Sequence, residues 1–212
     1  MMEGTKIFFK KFITKPSGLI GISIVAILIF SALMAEVISP YSPTKMGAGK
    51  RFSKPSSNYV LGTDEFGRDM LSRILHGSRL TLMIGATAVG ISLSTGMFIG
   101  LIAAYRKGIL EQILMRSTDV LFSFTETLIA LSCVAVLGPS LENAVIAVGI
   151  AGIPYYARIC YSAALVESSK PYFEACIACG AGHFRLVVYH LLPNVLPTMI
   201  VVSTLGVSTA IL

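Results

Sequence analysis

Few side chains in this sequence have the types and spacing for chemistry, and they are scattered. The most pointed group is Cys176-Ile177-Ala178-Cys179, followed by His183 and His190. C-x-x-C is the spacing of a dithiol redox pair or of half a zinc site. Gly180 stands between Cys179 and His183 and interrupts any shared helical face, and a cysteine also serves simply as a small, soft apolar side chain. Asp64, Glu65, Arg68 and Asp69 gather acids in a short stretch, but the spacing is not that of an EF-hand and basic residues intervene. A salt-bridged structural loop is the expectation there. Glu126 follows Asp119 within an apolar run. On one continuous helix it would lie roughly 10 Å deeper in the bilayer. A carboxylate at that depth is costly and faces a cavity or a partner. It could line a substrate path, pair with a basic group of another subunit, or stand protonated against a neighbouring helix. Arg158 sits close enough to a span end to snorkel. The chain has no Gly-x-x-x-x-Gly-Lys-Ser/Thr phosphate loop and no nucleophile–base constellation, so no catalytic residue, cofactor or metal is assigned.

The elements that must position these residues are membrane spans. Apolar residues make up 54% of the chain and charged residues 13%, with a mean hydropathy of +0.77. A soluble domain carries about 25% charged residues. The apolar residues fall in blocks long enough to cross a bilayer, which takes about 20 residues per helix. The blocks predict five spans: 18–38, 80–104, 118–137, 144–165 and a fifth from Asn194 onward. Lys6, Lys10, Lys11 and Lys15 precede a first apolar run longer than a signal-peptide core, with no small-x-small cleavage pattern, so it reads as a retained span. The net charge of +6 fits basic cytoplasmic loops, not nucleic acid, since no basic run or aromatic platform occurs. None of Cys133, Cys160, Cys176 and Cys179 lies in the long polar loop, so no disulfide framework is implied.

The N-terminal lysines place residues 1–17 in the cytoplasm, and Arg106, Lys107 and Arg116 place the loop after the second span there too. Residues 39–79 then lie outside, although they carry seven basic residues. Their second half, from Tyr59, has Leu71, Ile74, Leu75 and Leu82 at helical spacing, which predicts an amphipathic helix on the outer face. Residues 80–212 form the core, with a cytoplasmic loop at 168–193. Gly96 and Gly100, one turn beyond Ser92, predict a close helix–helix approach. Gly149, Gly152 and Pro154 predict a kink in the fourth span.

The 168–193 loop is the most informative. Ser169 offers a cap and Pro171 suits a first helical turn. Tyr172, Phe173, Cys176 and Ile177 predict an apolar patch, Gly180 a left-handed stop, and Phe184, Leu186 and Val187 a second apolar face before a stop at Pro193. A short helix with aromatic anchors suits a groove on a partner, or else rests on lipid headgroups.

Glu174-Ala175, Gly180 and Leu192-Pro193 resemble the cytoplasmic coupling loop of ABC-importer permeases. Gly62-Thr63-Asp64 with Gly67-Arg68-Asp69 and Ser72-Arg73 resembles the outer segment of the dipeptide, oligopeptide and nickel permeases, in the second of their two permease types. Arg116 with Asp119 matches a family pattern as well. The resemblance implies an all-α polytopic bundle of the type I importer fold in a bacterial or archaeal cytoplasmic membrane. It implies a second homologous permease, two ABC ATPase subunits and an extracytoplasmic solute-binding protein as partners, besides the lipid bilayer. It makes Tyr172, Phe173, Glu174, Ala175, Cys176, Gly180, Phe184, Leu192 and Pro193 the ATPase-coupling residues, with Asp119 and Glu126 candidates for the translocation path. Cys176 and Thr125 stand where alanine and proline are usual. The family continues into a sixth span, so a truncated chain is expected, with Leu212 poorly ordered or shielded by a neighbour and no uptake by the 212-residue form. The alternatives are a membrane-embedded Cys/His metal or redox protein and a stand-alone channel.

Overall fold

A computed structural model of the protein describes residues 16–211. The expectations for the N-terminal lysines and for Leu212 fall outside those residues. The fold is all-helical. Among the described residues the only extended pairing is one antiparallel bridge, Thr63 with Asp69.

The first unit runs to Leu82. Its helix α1, Pro16–Leu33, opens on a proline, whose fixed φ suits a first turn. Ile20, Ile27, Phe30 and Leu33 are all exposed, so the helix is apolar all round, the pattern of a lipid-facing element. The expected span 18–38 is not one helix. Met34 breaks it, and α2, Ala35–Ile38, adds a single turn. Residues 39–69 are irregular but well tied. Tyr41 and Tyr59 stack with ring centroids 5.4 Å apart, and the Gly47 and Gly49 amides donate to the Phe66 and Gly67 carbonyls.

Helix α3, Met70–Tyr105, is unbroken for 36 residues. This corrects the separate amphipathic helix expected over 59–82. Residues 59–69 form turns, and Leu71 to Leu82 are simply the first turns of the span, which continues unbroken through Gly77-Ser78.

The second unit begins at Met83. It contains the rest of α3, then α4 (Ile109–Phe122), α5 (Glu126–Leu137), α6 (Leu141–Ala151), α7 (Ile153–Ser168), α8 (Pro171–Ala178), α9 (His183–Arg185), a π-helical segment (Leu186–Leu191) and α10 (Leu192–Ile211). Three stretches are long and apolar enough to cross a membrane: Met70–Tyr105, Leu141–Ser168 and His183–Ile211. The expected third span is a fourth candidate, but it is bent by 92° between α4 and α5. Ser123 ends α4, and Thr125 caps α5 by accepting from the Leu128 amide. Gly18–Leu33 is shorter.

The core of this unit gathers Val89, Leu101, Tyr156, Cys160, Leu186 and Met199. The expected close approach of α3 is present. A Cβ on Gly96 would lie 2.7 Å from Tyr156 Cβ, and one on Gly100 would lie 2.7 Å from the Ala157 carbonyl. Ser92 donates to the Gly149 carbonyl at 2.6 Å, where α6 and α7 meet at Gly152. That bond falls one residue before Ile150, whose carbonyl Pro154 cannot serve.

Candidate functional site

The loop after α7 is built on Pro171, the first residue of α8. Ser169 is not its cap. The cap position is Lys170, and the Ser169 hydroxyl turns back to the Val166 carbonyl. A residue that sequence reasoning missed organises the junction. Glu167 is buried at the end of α7; Lys170 donates to one of its carboxylate oxygens and the Tyr172 hydroxyl to the other, both at 2.6 Å. Burial and this bond push the Tyr172 phenol up to about 12, so it stays a donor throughout the physiological range. The i,i+3 spacing of Glu167 and Lys170 was the available signal.

The apolar patch expected on α8 is split. Phe173 is 3% exposed and packs in the core, whereas Ile177 and Glu174 face outward and line a groove of about 540 Å³ with Arg106, Lys107 and His183. Ala175 is exposed and Cys176 half-buried. Gly180 has φ +79°, the left-handed conformation that ends a helix, and the Ala181 amide closes the turn onto the Cys176 carbonyl. The second apolar face is also divided. Leu186 is buried, and Phe184 stands 74% exposed beside the break.

Leu192-Pro193 does not stop the helix. The Leu192 amide reaches the Val187 carbonyl five residues back, and α10 continues through Pro193. The widened turn relieves the clash a proline ring makes with the carbonyl four residues earlier. Asn194 adds bonds to the His190 carbonyl at 2.7 Å and to the Tyr172 hydroxyl at 3.3 Å.

The cysteines and histidines are not brought to one point. Cys176 Sγ lies 4.0 Å from His190 Nδ1, Cys179 is exposed, and His183 Nδ1 is engaged by the Tyr105 hydroxyl. Among the described residues no three metal-ligating side chains converge.

In the first unit, Gly62 and Gly67 both take positive φ, and a side chain on either would strike a carbonyl, of Ser53 or Gly49. These turns aim four donors at Asp64. The Phe66 and Arg68 amides reach Oδ1 at 2.8 and 2.9 Å, and the Arg68 and Arg73 guanidinium groups reach Oδ2 at 2.7 and 2.5 Å. Burial alone would raise the Asp64 carboxyl, but the Arg68 and Phe66 donors outweigh it and hold it at about 2. Thr63 links Lys50 and Ser53. Asp69 accepts from the Ser72 amide and hydroxyl, capping α3.

A family model described as the binding-protein-dependent transport system inner membrane component matches residues 96–212. A second, described as the N-terminal TM domain of oligopeptide transport permease C, matches residues 5–55. The chain belongs to the inner-membrane permeases of binding-protein-dependent transport systems. It is 37% identical over 98% of its length to the di/tripeptide transport system permease protein DppC of Pseudomonas aeruginosa (strain UCBPP-PA14), of which it spans 70%. It is 35% identical over 96% of its length to the dipeptide transport system permease protein DppC of Alkalihalophilus pseudofirmus, spanning 67% of it. The Escherichia coli K12 dipeptide transport system permease protein DppC is 37% identical over 97% of this chain, which spans 70% of it. The chain is therefore a multi-pass inner-membrane transport subunit, and not itself an enzyme.

In this permease the intramembrane acids differ from expectation. Asp119 pairs with Arg158 of α7, so Arg158 does not snorkel. Glu126 is not one helical turn series deeper than Asp119. It opens α5 after the bend, where the helix N-terminus favours a carboxylate. It lines a cavity of about 240 Å³ with Ser92, Gly152, Tyr155, Tyr156 and Thr209. Tyr156 gave no signal in the sequence, because it reads as a span residue, and Ser92 was legible only for the close approach of α3.

Proposed function

We propose that this permease is one of two homologous membrane subunits of an ABC importer for short peptides. What supports the substrate class is the set of permeases it resembles across 92–98% of its length, which are named for dipeptides or di- and tripeptides. An extracytoplasmic binding protein delivers the peptide, and two ATPase subunits drive transport. The N-terminus and residues 168–193 face the cytoplasm, residues 39–79 face outward, and residues 80–212 form the path. The observation that carries the coupling role is the Pro171–Arg185 hairpin. Its base is fixed by Phe173 and Glu167 in the bundle, while Glu174, Ile177 and Phe184 project from it. Such a part moves as a lever with α7 and α10 when a partner grips its outer side.

The test is ATP-driven uptake of a labelled dipeptide into proteoliposomes holding this permease with its companion subunits and binding protein. Uptake that needs both ATP and binding protein is expected. Equal flux without ATP would mean a channel instead.

A further inference from the structure

We propose that the cavity between α3, α5, α7 and α10 is a site for a primary ammonium, filled during transport by the amino terminus of the peptide. The inference rests on the peptide-importer reading and adds a recognition step inside the membrane.

Three observations point there. First, the Tyr156 hydroxyl is buried with no hydrogen-bond partner, the one such side-chain atom among the described residues. An unpaired buried hydroxyl costs about 1–3 kcal/mol. Tyr156 lines the cavity, and its hydroxyl packs beside Gly206, where any side chain would overlap it. Glycine at 206 therefore leaves room for the hydroxyl to stand unbonded. Second, Glu126 reaches the same cavity without an ion-pair partner among the described residues, whereas the nearby Asp119 is neutralised by Arg158. No basic side chain lines the space. Third, two of the other lining hydroxyls have their protons committed to backbone carbonyls, which leaves their oxygens able to accept. Ser92 bonds the Gly149 carbonyl and Thr209 the Gly206 carbonyl. The Tyr155 and Tyr156 rings meet edge to face at 5.4 Å, and both line the wall.

The cavity thus combines one carboxylate without an ion-pair partner among the described residues, hydroxyl oxygens able to accept, and two tyrosine rings. An ammonium can donate to the carboxylate and to hydroxyl oxygens, and aromatic rings in the wall attract a cation. A free carboxylate could accept from a tyrosine hydroxyl but would face the like charge of Glu126. The same chemistry could come from a lysine of a companion subunit, and the two sources give different results below.

The experiment is equilibrium binding to the assembled transporter in nanodiscs, without binding protein, using a labelled dipeptide and its N-acetyl derivative. Wild type should bind the free amine roughly tenfold more tightly, the scale of one charge-assisted hydrogen bond. Glu126→Gln should abolish that preference, Glu126→Asp should keep part of it, and Tyr156→Phe should weaken free-amine binding severalfold. Equal wild-type affinity for both peptides, binding of neither, or a preference that survives Glu126→Gln would overturn the site. If a subunit lysine holds Glu126, the Gln variant will lose assembly and weaken both ligands equally, which also overturns it. ATP-driven dipeptide uptake by the wild type is scored separately, so failure of the site leaves the importer reading standing.

Discussion

Asp64 holds Arg73 at 2.5 Å from the turn just before α3, and the same oxygen holds Arg68 at 2.7 Å. The Gly62–Asp69 motif is therefore a folding device at the start of the longest helix. Its acid is ionised at every physiological pH because its carboxyl is held at about 2.

That shift fixes a pH dependence. The folded pKa lies below the ordinary value of 3.8, so the stabilisation is complete above about pH 4 and is lost as pH falls through about 2. Hydrogen exchange of the Phe66 and Arg68 amides should accelerate relative to the intrinsic rate across that window. Asp64→Asn should show the faster exchange already at pH 6. Unchanged protection in the Asn variant would show that the turn stands without its anion.

Gly100 and Gly90 separate packing from propensity. A side chain at Gly100 meets the Ala157 carbonyl and Cys160 Cβ, whereas nothing lies within 4 Å of a side chain at Gly90. Gly100→Ala should destabilise by about 1–3 kcal/mol through overpacking. Gly90→Ala should be neutral or stabilise by about 0.5–1 kcal/mol. Thermal unfolding in detergent ranks the two, and the reverse order would contradict the α3–α7 contact.

Arg158 and Asp119 should behave as a unit. Asp119→Arg or Arg158→Asp alone leaves two like charges facing each other at membrane depth, and yield of assembled transporter should fall several-fold. The double exchange should recover most of it. A double variant no better than either single one would mean that the pair is incidental.

Orientation can be read with single cysteines at Ser57 and Ser169, both exposed, after replacement of the native four. An impermeant thiol reagent should label position 57 in intact cells and position 169 only after lysis. The opposite pattern would invert the topology.

What the sequence disclosed follows from the range of each effect. Hydropathy located the apolar blocks, because lipid selects composition over about 20 residues at a time. Gly180, Gly96 and Gly100 were legible because each answers a local need, a left-handed turn or a close backbone approach. The bend at 123–125 was not. Phe122 and Phe124 flank it with the same apolar character a straight span would have, and Thr125 reads as readily inside a helix as capping one. Pro193 misled for the converse reason. A π turn upstream absorbs the proline, and no residue type announces a π turn. The Glu126 cavity depends on Tyr156 and Gly206, which are far away in the chain and meet only in the bundle.

The coupling hairpin is the central claim, and Phe184 is its most exposed large hydrophobic residue. The direct measurement is cysteine cross-linking of Phe184→Cys to the ATPase subunits in the assembled transporter, with the native cysteines removed and Ser57→Cys as the control. Phe184→Cys should cross-link to an ATPase subunit through a short reagent. Adding Gly180→Val, which forces a β-branched residue into φ +79°, should abolish the product while leaving the permease in the membrane. Cross-linking from position 57 and none from position 184 would contradict the account.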